Sequence, residues 1–281
     1  MKFDVIAGNP PYNDTRNETG ATTTLWEKFI TKSLSLLKDG GYLCYVHPCG
    51  WRSPVGKFAD THALLTSRQI KYLEIHDATD GRTTFGAGTR YDWYVLQNQP
   101  ANGNTVIVGE DGKKYEANLG ELPFIPNGMI EELRSLIAKP GEPTCEILFS
   151  WSAYDPRKPW MHRTETKEFK YPVIHSIKKG GLNLVYSSTN EKGHFGIPKI
   201  VLGWGQSNTY IDRKGTYGLS QHSWSIVDAP ENLDKINAAL NSKRFIELSS
   251  YCCLSSSAMF VDRYNKDVMA LFRKDFWKAF V

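Results

Sequence analysis

Short apolar runs alternate with helical patterns through the first hundred residues of this 281-residue chain. Val5-Ile6-Ala7 predicts a buried strand. The apolar spacing over residues 25–37 predicts an amphipathic helix with Leu25 and Phe29 on its apolar stripe, ended by Gly40-Gly41. Further strands are predicted over 42–47, 70–76 and 90–97, and a further helix over 57–68. The order strand, helix, strand is typical of a parallel sheet in an α/β fold.

The pattern changes near residue 105, where short β-like runs begin. Asp111-Gly112 between two strand-like runs predicts a hairpin, and Pro140-Gly141-Glu142-Pro143 after a short helix over 128–138 predicts a linker. Short strands are expected over 171–175, 182–186, 198–202 and 217–221, and helices over 230–248 and 267–280. We expect the last helix to pack in a core, with a partner interface as the alternative.

The motif Asn9-Pro10-Pro11-Tyr12 follows the first predicted strand directly. Each proline restricts the residue before it to extended backbone, so a stiff loop is expected at the carboxyl end of a strand, where open α/β sheets bind ligands. Asn9 offers a side-chain carbonyl, Pro10 a backbone carbonyl and Tyr12 an aromatic face. This set suits a planar ligand with an exocyclic amino group, because accepting both N–H bonds frees the nitrogen lone pair for attack. A Pro-Pro turn with an incidental asparagine is the alternative.

The net charge of +4 is unevenly spread along the chain. Residues 1–120 are balanced, whereas residues 150–225 carry +6 and contain eleven aromatic residues. This mixture predicts a polyanion-binding surface or, alternatively, an aromatic core beneath a solvated basic face. The five cysteines fit neither a disulfide framework nor a zinc pattern. With no signal-peptide core and no apolar run of the ~20 residues that a membrane helix needs, we expect a cytoplasmic protein without membrane association.

The motif Asn9-Pro10-Pro11-Tyr12 resembles the catalytic motif of S-adenosylmethionine-dependent gamma-class N6-adenine DNA methyltransferases of restriction–modification systems. The likeness continues through Leu25-Trp26-Glu27-Lys28-Phe29, through the strand over 40–48 with Trp51, and through Thr84-Phe85-Gly86-Ala87-Gly88. Sections around 199–205 and 217–227 resemble, less specifically, the target-recognition domain of that family. The resemblance implies an α/β fold in which residues 1–120 form a partial Rossmann-like methyltransferase sheet. Residues 121–281 would form a mixed α/β, β-rich target-recognition domain.

The resemblance also implies roles for individual residues. Asn9 and Pro10, stiffened by Pro11, would hold the amino group of an extruded adenine, and the rings of Tyr12 and Phe85 would stack on the base. Phe29 would contact S-adenosylmethionine, as would Asn9, and no metal is implied. Double-stranded DNA is the expected substrate. The expected phosphate contacts are Lys178, Lys179, Arg213 and Lys214, and the expected base-reading residues are Gln206 and Gln221.

One expected part of such an enzyme is missing from the sequence pattern. The family places a glycine-rich cofactor turn and an acidic ribose-binding residue before the catalytic loop, and only eight residues precede Asn9 here. The glycine pairs at 86–88 and 203–205 lack the strand–turn–helix context. We therefore expect a protein partner that supplies the glycine-rich cofactor-binding half. The alternatives are a catalytically inactive DNA-binding or specificity subunit that retains the fold, and a methyltransferase for RNA or protein glutamine.

Overall fold

The computed structural model describes residues 2–14, 23–178, 180–204, 208–254 and 264–281. These residues form two compact units. The first comprises residues 2–134 with Leu254, and the second comprises residues 135–253 and 264–281. In the described residues, no helix is both long and apolar enough to span a bilayer.

The secondary structure of the described residues is as follows. The strands are β1 (Phe3–Gly8), β2 (Asn13–Asp14), β3 (Thr23–Thr24), β4 (Leu37–Pro48), β5 (Arg68–His76), β6 (Tyr91–Pro100), β7 (Thr105–Val108), β8 (Lys114–Ala117), β9 (Glu146–Leu148), β10 (Met161–His162), β11 (Tyr171–Lys178), β12 (Gly181–Ser187), β13 (Lys199–Gly203), β14 (Thr209–Asp212), β15 (Gly218–Leu219) and β16 (Ser223–Val227). The α-helices are α1 (Trp26–Leu36), α2 (Ala59–Thr66), α3 (Ala78–Phe85), α4 (Ile130–Leu136), α5 (Leu233–Leu240), α6 (Lys243–Ser250) and α7 (Lys266–Met269). Short 3-10 helices cover Cys49–Arg52, Leu119–Glu121, Pro230–Asn232 and Phe276–Ala279.

The first unit is built on a six-stranded mixed sheet with the order β1-β4-β6-β5-β7-β8. Strand β1 runs parallel to β4, and the connection between them contains α1, as predicted from the strand–helix–strand pattern. Strand β6 lies antiparallel between β4 and β5, and the predicted hairpin forms from β7 and β8. The fold is therefore α/β, as expected from the sequence. The first unit ends within α4, after Arg134.

The core of this unit lies against the sheet face that α1 covers. Trp26 and Ile30, one turn apart on α1, are buried in the same cluster as Leu43 of β4 and Leu73 of β5. The predicted apolar stripe of α1 is therefore wrong at one position. Phe29 is 42% exposed, because Trp26 and Ile30 turn the adjacent helix face towards the sheet.

Two further expectations, one for β1 and one for the end of α1, are wrong. Strand β1 is not buried: it lies at the edge of the sheet, and Val5 is 56% exposed. Helix α1 ends without a glycine cap, since β4 already begins at Leu37. Gly41 instead permits a close approach of β1, because a Cβ atom there would lie 2.9 Å from the carbonyl oxygen of Asp4.

The second unit contains two four-stranded sheets, with the orders β10-β12-β11-β15 and β14-β13-β16-β9. The single helix predicted over 230–248 is wrong: α5 ends at Leu240, and α6 begins after Ser242, whose side chain accepts the N–H of Phe245. The helix predicted over 267–280 is reduced to α7 and a 3-10 turn. The expected core packing of this segment is confirmed for the buried side chains Val268, Met269, Phe272, Phe276 and Trp277.

Candidate active site

Three loops meet at one edge of the six-stranded sheet. The register pairs Gly8 with Tyr45 and His47 with Asp92, so the carboxyl ends of β1 and β4 lie beside the beginning of β6. The carboxyl end of β5 reaches the same edge, because His76 pairs with Tyr91. The 9–12 loop, the 3-10 helix after β4 and the segment around α3 therefore leave the sheet together. The segments that carry the resemblance lie on these loops, on β4 and on α1, which follows the 9–12 loop.

The four residues of the 9–12 loop differ in their exposure to solvent. Asn9 and Pro11 are exposed, Pro10 is buried, and Tyr12 is half-buried against the core of the first unit. The backbone N–H of Leu25 donates to the carbonyl oxygen of Tyr12 at 3.0 Å, which ties the loop to the start of α1. Asn9 thus presents its carboxamide to solvent from a loop that is anchored at its far end.

The hydroxyl group of Tyr12 is buried without a hydrogen-bond partner among the described residues. Burial raises the pKa of this hydroxyl, and the negative charge of Asp92 raises it further. The Oδ1 atom of Asp92 also lacks a partner in the described part of the chain. A buried polar atom without a partner costs about 1–3 kcal/mol. Tyr12 and Asp92 are therefore two polar groups that a bound water or ligand atom could satisfy.

Asp92 is held by a buried polar network. Its Oδ2 atom accepts from Trp51 Nε1 at 2.9 Å and from Arg52 Nε at 3.0 Å. Arg52 donates further to the carbonyl oxygen of Ile125 at 3.1 Å and to Oδ1 of Asn127 at 2.7 Å. Burial raises the pKa of Asp92 to about 6 despite the neighbouring guanidinium group. The network links the loop after β4 to the first residues of β6, below the site.

His47, at the end of β4, is buried and neutral. Burial lowers its pKa to about 4, and its ring stacks on Trp26 with the centroids 4.5 Å apart. The carbonyl oxygen of Pro48 lies 3.0 Å from Nδ1 and can only accept, so Nδ1 carries the proton. Nε2 then accepts from the hydroxyl group of Tyr94 at 3.2 Å. His47 is thus a fixed packing element beneath the site.

Phe85 lies at the end of α3, a helix that the apolar pattern of the sequence does not predict. Its start was signalled by Asp77, whose side chain accepts the N–H groups of Thr79 and Asp80 at 2.8 Å each. Its end was signalled by Gly86, which has a φ of 68°. Phe85 is 39% exposed and packs edge-on against Tyr91, with the ring centroids 4.8 Å apart. One face of Phe85 is therefore free of the core.

Phe29 lies one helical turn from the site loop. Its backbone N–H donates to the carbonyl oxygen of Leu25, the residue that is bonded to Tyr12. Since the ring projects outside the core, it is available to a planar ligand near the 9–12 loop.

The expected DNA contacts lie in the second unit. Lys178 and Lys214 are exposed, and Arg213 donates to Asp234 at 2.6 Å, so its guanidinium group is already paired with an acidic residue at the surface. Gln221 is half-buried, and its Oε1 atom lacks a partner among the described residues. Lys179 and Gln206 lie outside the described residues.

The chain resembles one family model and several solved structures. Residues 1–85 match the family model described as the Eco57I restriction-modification methylase. No curated protein matches the chain. Among solved structures, the DNA-bound type IIL restriction-modification enzyme MmeI is 9% identical, with a TM-score of 0.52 over 95% of this chain and 45% of that chain. This likeness shows a shared α/β fold.

Two proteins of type I restriction enzymes match a smaller part of the chain. The EcoKI M protein is 16% identical, with a TM-score of 0.30 over 38% of this chain and 25% of that chain. The modification subunit of a putative type I restriction enzyme from Vibrio vulnificus YJ016 is 16% identical, with a TM-score of 0.30 over 41% of this chain and 27% of that chain. The chain thus spans about a quarter of the length of these subunits and less than half of MmeI.

Proposed function

We propose that the chain carries the catalytic loop and the target-recognition domain of an S-adenosylmethionine-dependent methyltransferase that modifies N6 of adenine in double-stranded DNA. The observation that supports this most directly is the exposed carboxamide of Asn9 at the carboxyl end of β1. It stands beside two further loops at the edge where α/β sheets bind ligands. The family match over residues 1–85 covers this loop, α1 and Phe85.

The site residues act on the amino group of the extruded base. Oδ1 of Asn9 and the carbonyl oxygen of Pro10 accept its two N–H bonds, which localises the nitrogen lone pair out of the ring plane. Extruding the base costs a few kcal/mol. Stacking on Tyr12 and Phe85 offsets roughly 1–3 kcal/mol of this cost. Holding the amino group in line with the methyl donor then supplies much of the reduction in the barrier.

The described residues fit one side of the cofactor. Phe29 presents an exposed ring outside the core, one turn from the loop that holds Asn9, and such a ring can stack on an adenine. Bound S-adenosylmethionine supplies the electrophilic methyl group. The glycine-rich turn and the ribose-binding carboxylate would come from the cofactor half.

That cofactor half has a suitable place to bind on the first unit. Among the described strands, β1 is hydrogen-bonded to β4 alone, so its outer edge is open. Val5 and Tyr42 pair in register, so their exposed side chains share one sheet face, and Phe3 on the same strand is also exposed. An open, apolar edge strand favours the addition of another strand. We infer that the cofactor half, in the same polypeptide or in a separate one, extends the sheet at β1.

The proposal is tested by methyl transfer. The purified chain is incubated with radiolabelled S-adenosylmethionine and mixed-sequence duplex DNA, with and without the product of the neighbouring upstream reading frame as the candidate cofactor half. We expect label on N6 of adenine in the complemented reaction. Label on cytosine or on protein would contradict the proposal. Salt-dependent DNA binding without transfer under every complementation would instead favour an inactive specificity subunit.

A further inference from the structure

A cluster of three aromatic rings, one of them exposed and two half-buried, lies in the second unit. We name it the Trp151 platform, and it consists of Phe149, Trp151 and Trp204. Phe149 packs edge-on against Trp151 with the centroids 5.0 Å apart, and the two indole rings are inclined by only 28° with their centroids 6.2 Å apart. Trp151 is 66% exposed, more than any other large hydrophobic side chain in the described residues. Exposed aromatic surface of this kind marks interaction sites.

The strands explain why these rings meet. Strand β9 pairs with β16 up to Leu148, so the chain that leaves β9 carries Phe149 and Trp151 along the beginning of β16. Trp204 follows the end of β13, and its backbone N–H donates to the carbonyl oxygen of His222 at 3.3 Å, just before β16. Three neighbouring strand ends therefore fix the backbone beneath the rings. The platform is a property of the sheet and does not depend on a long loop.

Two buried polar atoms at the same strand ends have no hydrogen-bond partner among the described residues. They are Nε1 of Trp204, a donor, and Oε1 of Gln221, an acceptor. Leaving such atoms unpaired is costly, so a ligand that supplies an acceptor and a donor gains by pairing them. Close by, Nζ of Lys266 lies 5.0 Å from the ring centroid of Phe149, although it is also paired with Asp267.

We propose that the Trp151 platform binds a nucleobase that has left the helical stack of DNA. A nucleobase offers a flat face to Trp151 and an edge that carries both donors and acceptors. The basic excess of residues 150–225 favours a polyanionic ligand over an apolar peptide. An unpaired or extruded position is required, because a base inside the duplex has both faces covered. The inference rests on the proposed function only for the choice of DNA as the polymer.

The test uses the full chain and a fluorescent base analogue. Two duplexes carry 2-aminopurine, one in a single-nucleotide bulge and one fully paired, and both binding and fluorescence quenching are measured. The wild-type chain should bind the bulged duplex and quench its probe. The variant Trp151→Ala should lose the quenching and weaken binding to the bulged duplex by about 5- to 150-fold, the range expected for one stacked base. It should leave the affinity for the paired duplex unchanged.

Two variants serve as controls. Trp151→Phe keeps an aromatic face and should retain quenching, whereas Phe169→Ala removes a ring outside the platform and should leave both readouts unchanged. Because Trp151 is mostly exposed, its truncation should not alter the unfolding transition. Equal quenching by wild type and Trp151→Ala would overturn the proposal. Failure of the wild-type chain to bind the bulged duplex would also overturn the proposal.

The outcomes separate this inference from the proposed function. Trp151-dependent quenching without adenine methylation would support the platform and count against the methyltransferase. Adenine methylation with quenching that does not depend on Trp151 would support the methyltransferase and count against the platform.

Discussion

The guanidinium group of Arg52 donates from Nε to Oδ2 of Asp92 at 3.0 Å, and neither side chain is exposed to solvent. The pair joins the 3-10 helix after β4 to the second residue of β6, at the edge where the site loops leave the sheet. Removing one partner of a buried ion pair typically costs about 3–5 kcal/mol, because the other charge is left unpaired. The pair therefore holds two parts of the candidate site in one arrangement.

The pair makes the stability of the first unit depend on pH. The pKa of Asp92 is raised from 3.8 to about 6 by burial, so between about pH 4 and 6 the folded state retains a proton that the unfolded chain has lost. Stability should fall over that range as the pH rises. The size of this fall reports the pKa shift, since one pKa unit corresponds to about 1.4 kcal/mol.

The variant Asp92→Asn isolates this effect while keeping an oxygen for Trp51 and Arg52. His47 acts in the opposite direction, because its pKa is lowered to about 4 and the unfolded chain binds the proton up to about pH 6.5. Denaturant unfolding from pH 4 to 7 should give a wild-type curve that falls, relative to the curve of Asp92→Asn, as the pH rises to 6. Parallel curves would show that Asp92 does not titrate in this way.

Gly81 allows α3, which carries Phe85, to pack closely against the segment before β6. A Cβ atom there would lie 2.0 Å from the carbonyl oxygen of Thr89, so Gly81→Ala should displace the segment before β6. We expect a loss of unfolding free energy of about 1–3 kcal/mol or more, together with reduced methyl transfer. Gly103→Ala is the matched control, because its nearest atom would be 3.8 Å away. Equal denaturation midpoints for the two variants would contradict this packing.

Local restrictions explain which features could be predicted from the sequence. The loop at Asn9 was predictable because two proline rings limit the backbone next to them, and the hairpin because Asp111-Gly112 favours one turn. The exposure of Val5 was not predictable, because the same apolar sequence pattern occurs in central strands and in edge strands. The role of Asp92 was also not predictable, because its partner Arg52 lies forty residues away in the chain and only the fold brings the two together.

The open edge of β1 gives a prediction about assembly. Val5→Glu places a charge on the exposed face beside Tyr42 and should abolish association of the chain with its cofactor half, because a charged residue blocks an edge strand from pairing. Val55→Glu changes an equally exposed valine outside the strands and should leave association intact. Association is measured by analytical ultracentrifugation of the mixed polypeptides. Loss of binding in both variants, or in neither, would contradict the assignment of β1.

The exposed ring of Phe29 gives a prediction about the cofactor. Phe29→Ala should raise the KM for S-adenosylmethionine by about 10-fold or more in the complemented enzyme, because an adenine loses its stacking partner. Phe29→Tyr should retain the wild-type KM, and Lys28→Ala, an exposed neighbour on α1, should do the same. An unchanged KM in Phe29→Ala would place the cofactor elsewhere.

The central claim concerns Asn9, and the most direct measurement compares Asn9→Ala with Asn13→Ala. Both asparagines are exposed, and Asn13 lies in β2 just beyond the motif. In the complemented reaction with radiolabelled S-adenosylmethionine and duplex DNA, the rate of methyl transfer to N6 of adenine is measured under single-turnover conditions. Asn9→Ala should lower it about 10²- to 10³-fold, by analogy with the loss of one oriented polar group in other enzymes. Asn13→Ala should retain the wild-type rate. A wild-type rate in Asn9→Ala would contradict the account.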